Sequence, residues 1–310
     1  MIPAQTMDSL ADDFFLEMTL KNRSPETIKS YRWYIGKFLE YLVNQGIEYP
    51  GQLTPEIFQG YHLHIYLGSE GTGRRGAARV NPYLVPIKSF MEYLKEVEVL
   101  PGDPARGIHF AREPKLLPKE ILSRDEMVDL IEAPDITTVL GYRDRTIMEL
   151  LYSTAIRRNE CRQLKVMDVD FDEGLIRVMG KGRKERMTPV GRIALKFLDH
   201  YVRSVRPLPV ENPAEVHLFV SSRGRGISRN VIGSLIGKYA DRVRIAKRVT
   251  PHTFRHTCAT HMLRNRADIR HIQALLGHES LNSTQIYTHV AVTDLREVLS
   301  KYHPREQDHG

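Results

Sequence analysis

Residues 101–121, PGDPARGIHFAREPKLLPKEI, hold four prolines and no sustained hydrophobic periodicity. Each proline fixes its own φ, lacks an N–H donor and pushes the preceding residue out of the helical region, so this span cannot be the interior of a helix or a central strand. Segments of this kind connect domains rather than fill them. At 310 residues the chain is also longer than one hydrophobic core usually organises. The expected division is a first domain over residues 1–112, a linker over 113–121 and a second domain over 122–310.

The first region reads as short helices. Ser24-Pro25-Glu26 supplies an N-cap, a proline at the first helical position and an acid in the first turn, after which Ile28, Tyr31, Ile35, Phe38, Leu39 and Leu42 recur at helical spacing. Thr54-Pro55-Glu56 repeats the start signal. Residues 68–79, GSEGTGRRGAAR, form a glycine-broken basic loop with Arg74, Arg75 and Arg79, leading into an apolar segment that carries Lys88. Glycines let a backbone approach a partner closely and arginines donate to phosphate, although a plain solvated loop has the same composition. Pro82 and Pro86 lie in the helix that follows. A proline in a helix interior costs about 3 kcal/mol, so this helix is expected to kink, shorten or restart at Pro86.

Beyond the linker, Ser123 and Glu126 form a capping box ahead of Met127, Leu130 and Ile131. The period then changes. Val169 and Phe171, then Leu175, Ile176 and Val178, flank an Asp-Glu-Gly turn, and Gly-Lys-Gly-Arg-Lys separates LIRVM from RMTPV. This predicts a small antiparallel sheet with Lys181 at a hairpin tip, and helices resume from residue 191. The fold class is therefore mainly α: a helical N-terminal domain, then a mixed α/β domain that is mostly helical with a small antiparallel sheet.

Charge separates the two regions. Residues 1–112 hold 12 Lys+Arg against 13 Asp+Glu, which leaves 33 against 25 of the totals of 45 and 38 for residues 113–310. The basic excess belongs to the second region, and a cationic face invites a polyanion such as nucleic acid. No apolar run is long enough to span a bilayer, and the acidic start MIPAQTMDSLADDFF is unlike a secretory signal, so the cytoplasm is the expected location. Cys161 and Cys258 read as small core residues of a reducing compartment.

Three segments carry chemistry. In TPHTFRHTCATHML, residues 250–263, Thr250 caps and Pro251 opens a helix, so His252 and Arg255 share one face of its first turns, where free N–H groups favour an anion. A metal set drawn from His252, His256, Cys258 and His261 fits poorly: Thr253 stands where a zincin motif needs Glu, and His261 is rotated away from His252. In STAIRRNECRQL, Arg157 and Glu160 are placed at i and i+3 to pair. In LLGHESLNSTQIYTHV, residues 275–290, Tyr287 sits in polar surroundings between His278 and His289. Two arginines, two histidines, a lysine and a tyrosine form the kind of set that phosphoryl transfer needs.

These stretches bring a family into view. TAIRRNE, GKGRKER, HTFRH and LLGHESLNSTQIYTH occur in the order and near the spacing of the tyrosine recombinase (phage integrase) family, and the chain most resembles its short Xer-type members. The resemblance implies that Arg157 is the first catalytic arginine, braced by Glu160. It also implies that Lys181 is the hairpin lysine, His252 and Arg255 the H-x-x-R pair, His278 the second histidine and Tyr287 the nucleophile; His289 belongs to the motif without an assigned role. It further implies a four-helix, SAM-like N-terminal domain touching DNA through Arg74, Arg75, Arg79 and Lys88. The activity so implied is site-specific DNA recombination through a 3′-phosphotyrosyl intermediate, without metal or cofactor. The implied partners are double-stranded DNA carrying recombination sites and a tetramer of this chain, alone or with a second recombinase. A topoisomerase of the IB kind, or a DNA-binding protein with a relic active site, are the alternatives.

Two positions depart from the family pattern: Ala155 stands where glycine is usual and Asn159 where serine is usual. In the C-terminal stretch VTDLREVLSKYHPREQDHG, Thr293 resembles an N-cap and Val292, Leu295, Val298 and Leu299 share a face. That face either folds back on its own core or docks into a neighbouring protomer, and the resemblance favours docking.

Overall fold

The computed structural model describes residues 5–68, 77–107, 110, 121–180, 184–277 and 289–307. The chain divides into two compact units, residues 1–117 and 118–310.

The first unit is helical: α1 (Met7–Leu20), α2 (Pro25–Asn44), a 3₁₀ turn at Pro50–Gln52, α3 (Pro55–Leu67) and α4 (Ala77–Glu96). Ser24 Oγ caps α2 by accepting from Thr27 N–H at 3.2 Å. Ile35, Phe38 and Leu42 are buried, while Ile28, Tyr31 and Leu39 pack partly buried against the same core. Phe38 meets Phe58 and Tyr61 at ring-centroid distances of 5.4 and 4.9 Å, joining α2 to α3.

Helix α4 corrects one expectation. It neither shortens nor restarts, but runs through both Pro82 and Pro86. The reason lies in what its inner face buries: Val80, Leu84, Ile87, Phe90, Met91 and Leu94 are each at most 1 % exposed. Full burial of such side chains stabilises by roughly 1.5–3 kcal/mol each, which together outweighs about 3 kcal/mol per proline.

The second unit opens with α5 (Arg124–Glu132), held by the reciprocal Ser123–Glu126 capping box, and α6 (Val139–Thr154), its central helix. α6 is buried almost throughout from Gly141 to Thr154, including Arg143, Asp144, Arg145 and Glu149. Charges this deep require partners. Arg143 donates to Asp144 at 2.6 Å, and Arg145 pairs with Glu149 at 2.9 Å and Glu132 at 3.0 Å.

After α7 (Arg158–Gln163) comes the antiparallel sheet β1 (Val169–Asp170), β2 (Leu175–Met179), β3 (Glu185–Pro189), in the order β1-β2-β3. The β1–β2 turn closes on Gly174, whose φ of +61° suits a residue without Cβ. Helices α8 (Arg192–His200), α9 (Val231–Arg242), α10 (Pro251–Arg264), α11 (Ile269–Leu276), α12 (His289–Tyr302) and α13 (Pro304–Gln307) complete the unit. Cys161 and Cys258 are free and fully buried in its core.

In the single chain the C-terminal segment packs on its own unit. α12 starts at His289, so Thr293 lies inside the helix rather than capping it. Leu295, Val298 and Leu299 are buried against their own unit, each at most 9 % exposed. His303 is fully buried, its Nε2 within 3.1 Å of the Tyr152 carbonyl. Arg305 reaches Glu149 at 2.6 Å and Glu132 at 3.0 Å, and Arg192 reaches Glu306 at 3.0 Å. These charged and polar groups find their partners on α5, α6 and α8 of the same chain, which is why the segment folds back.

Glu149, 1 % exposed, is thus shared by Arg145 and Arg305. Glu149→Gln should leave the two buried guanidinium groups sharing only the half-exposed Glu132 and cost about 3–5 kcal/mol. A fall in the urea unfolding midpoint, at constant m-value, is the measurement.

Candidate active site

The centre of the second unit is assembled from the ends of four helices, α6, α7, α10 and α11, and one strand, β3. α6 ends at Ala155, which adopts φ 51°, ψ 24°, a left-handed conformation that turns the chain out of the helix. A Cβ makes this region costly, which accounts for the glycine usual there in the family that the sequence resembles. Two residues on, Arg157 becomes the N-cap of α7. Glu160, one turn into α7, accepts from the Arg157 backbone N–H at 2.8 Å and from its Nη1 at 2.9 Å.

Arg186 on β3 completes this arrangement. Its Nη2 and Nη1 donate to the two oxygens of Glu160 at 2.8 and 3.2 Å. Glu160 is 6 % exposed. Burial works to raise its carboxyl, but hydrogen bonds from Arg186 and from the Arg157 backbone outweigh it and hold the group below the usual carboxylate range.

Thr250 caps α10 through Thr253 N–H and Pro251 occupies its first position, as the sequence predicts. His252 lies exposed on the first turn, and Arg255 is partly buried one turn further on. Arg255 donates from Nη1 to the Ala155 carbonyl at 2.6 Å and from Nη2 to the Leu276 carbonyl at 2.5 Å. The same guanidinium therefore ties together the ends of α6 and α11. Burial lowers its pKa to about 10, helped by the charge of Arg157 and opposed by that of Glu160, with Arg186 adding a further repulsion.

Arg157, Arg186 and Arg255 thus lie near one carboxylate, a formal excess of two positive charges in a partly enclosed site. A site so charged, whose forks are held by a carboxylate and by carbonyls, is built to receive an anion with several oxygens. His252 and Arg255 share the helix face at its border.

Of the other residues singled out in the sequence, Lys181, His278, Tyr287, Arg74 and Arg75 lie outside the described residues. Arg79 is exposed on α4, and the Lys88 ammonium sits 4.9 Å from the centroid of the Phe110 ring. Nine residues apart on one helix, Arg79 and Lys88 point roughly half a turn away from each other, so α4 does not bring them to a common face. His261 has both ring nitrogens engaged, with Tyr152 Oη at 2.8 Å and the Leu122 carbonyl at 3.0 Å, which removes it from any ligand set with His252. Arg186 was not singled out by its type. Its signal is phase: in ERMTP, Arg186 and Thr188 occupy the inward positions of the strand, and an inward arginine demands a carboxylate.

Residues 120–294 match the phage integrase family. The chain is 37% identical over 285 residues to tyrosine recombinase XerD of Staphylococcus epidermidis, covering 92% of this chain and 95% of that protein. It is 38% identical over 287 residues to tyrosine recombinase XerC of Oceanobacillus iheyensis, covering 92% of each. Its fold is similar to that of a lambda integrase tetramer bound to a Holliday junction, with a TM-score of 0.67 at 16% identity over 92% of this chain and 77% of that one. The chain belongs to the phage integrase family, as a Xer-like tyrosine recombinase.

An anion that fits the arginine cluster should stabilise the folded unit by mass action. Millimolar inorganic phosphate should raise the melting temperature, and Arg157→Ala should reduce that rise, read by thermal unfolding with and without phosphate at constant ionic strength.

Proposed function

We propose that this chain catalyses site-specific DNA recombination by cutting and rejoining strands through its own tyrosine. The observation that carries the reading is the set of three guanidinium groups around Glu160, two of them at positions where the family motifs place catalytic arginines.

In the proposed reaction, the Tyr287 hydroxyl attacks a DNA phosphodiester. A bond forms between its oxygen and the phosphorus of the 3′-phosphate, and the bond to the 5′-oxygen breaks. The phenol proton goes to His252, while Lys181 protonates the departing 5′-oxygen. Because a free phenol titrates near pH 10, nearby guanidinium groups are needed to favour the phenolate. Arg157 and Arg255 present paired N–H donors to the non-bridging oxygens, which a lysine cannot do as a planar fork, and His278 completes this shell. The 5′-hydroxyl of another strand then attacks the phosphotyrosyl bond and frees Tyr287. One phosphodiester replaces another of similar energy, so neither ATP nor a cofactor enters, and fixed cations supply the electrostatic stabilisation.

The substrate is double-stranded DNA with defined recombination sites, acted on where the cell keeps its DNA, in the cytoplasm. Strand exchange between two duplexes needs four protomers, and the similarity to a lambda integrase tetramer on a Holliday junction supports such an assembly for this chain. Arg74, Arg75, Arg79 and Lys88 are proposed to contact the DNA backbone from the first unit, Arg79 and Lys88 from different faces of α4.

Sequencing DNA covalently captured by the protein would define the site. On that duplex, Tyr287→Phe should abolish covalent capture while DNA affinity stays within about twofold; a protein–DNA adduct formed by the variant would refute the assignment. Lys181→Ala should slow cleavage of the natural strand by roughly 10²–10⁴-fold, the range of general acid catalysis. A 5′-bridging phosphorothiolate, whose leaving group needs no proton, should restore its rate.

A further inference from the structure

The catalytic set that the motifs supply leaves one arginine of the cluster without a role. Arg186 is 8 % exposed, sits opposite Val178 in the β2–β3 ladder, and spends both terminal nitrogens on Glu160. Its other side faces the end of α11. A Cβ built on Gly277 would lie 3.0 Å from Arg186 Nε, 3.1 Å from Cζ and 3.3 Å from Cδ. Gly277 also has φ +60°, so a side chain there would be strained as well as crowded. The guanidinium is thus packed between the carboxylate of α7 and the backbone at the end of α11, with Nε–H buried and unpaired among the described residues.

A surface ion pair would not be built this way. Glu160 already accepts from the backbone N–H and the Nη1 of Arg157, but both contacts come from one residue whose side chain is partly exposed. Held in a two-point contact by a second, buried guanidinium, its oxygens are fixed in direction, and the remaining donor must come to them. The strand that supplies Arg186 is the one following the Gly180–Lys184 hairpin, closed by Gly180 N–H to the Lys184 carbonyl at 2.8 Å. The residue after Gly277 is His278, the second histidine of the motif.

We propose that Arg186 is a positioning residue for strand cleavage. It fixes Glu160, and through Glu160 the fork of Arg157, while keeping the end of α11 in register with β3. It touches neither the phosphate nor the tyrosine. This inference rests on the recombinase reading given above.

The test uses the full-length protein and the duplex captured by the wild type, so that failure of capture by the wild type sinks the recombinase reading itself rather than the role of Arg186. Single-turnover rates of covalent complex formation and DNA dissociation constants are measured for Arg186→Lys, Arg186→Met, Glu160→Gln and the Arg186→Met/Glu160→Gln pair. Positioning predicts rates reduced about 10–100-fold, the usual effect of removing a supporting partner, with DNA affinity within about twofold of wild type. It also predicts that the double variant is no slower than the worse single one, because both changes break the same chain of contacts. Arg186→Lys, which keeps the charge without the fork, should be intermediate and decides the matter if Arg186→Met does not fold. Wild-type rates in the Arg186 variants, rate losses that multiply in the double variant, or a loss of affinity equal to the loss of rate would overturn the proposal.

Discussion

One carboxylate organises the centre of the catalytic unit. Glu160 is buried, and burial works to raise its carboxyl above the usual carboxylate range. It stays ionised because Arg186, the Arg157 backbone and the Arg157 guanidinium all donate to it. Their convergence joins the turn after α6, the first turn of α7 and β3 around a single negative charge. Arg255 extends the arrangement by anchoring on the carbonyls of Ala155 and Leu276 rather than on a second acid. The result is a group of cations fixed by hydrogen bonds but incompletely neutralised, with a formal excess of two charges, of which the single negative charge of a phosphodiester would offset one.

That design explains why the site sits where elements end. Helix termini and turns leave backbone groups available that helix interiors consume, so Ala155 and Leu276 can offer carbonyls to an arginine. Ala155 accepts a left-handed backbone for the same purpose. A residue with a Cβ there carries strain of the order of 1–2 kcal/mol. The chain sustains it because the turn is buried, with Ala155 and Ile156 each at most 1 % exposed.

Much of this is legible in the sequence because it is local. Ser24, Ser123 and Thr250 mark helix starts through side-chain chemistry that acts over three residues, and all three cap as their neighbours predict. The alternation around Gly174 likewise yields the antiparallel sheet, and Arg157 and Glu160 meet at the spacing of one helical turn. What stays hidden depends on distant partners. The prolines of α4 argue locally against a continuous helix, and only burial on the folded unit overrules them. The C-terminal apolar stripe is compatible with two destinations, and in the single chain it lies on its own unit, held by Glu132, Glu149 and Tyr152, residues more than a hundred and forty positions earlier. Arg186 escapes notice because an arginine in a basic hairpin sequence looks solvated until its inward phase is matched to Glu160, which lies 26 residues away.

The two cysteines lie directly behind this charged cluster, Cys161 next to Glu160 in the chain and Cys258 one turn beyond Arg255. Both thiols are fully buried, and burial raises the pKa of each, that of Cys258 to about 12, so neither offers a thiolate to solvent in the closed fold. An alkylating reagent can reach them only when the surrounding core opens, which makes their labelling rates a native gauge of local breathing behind Glu160 and Arg255. The protein therefore carries, without any added probe, a chemical clock at two points of the scaffold that aims its arginines.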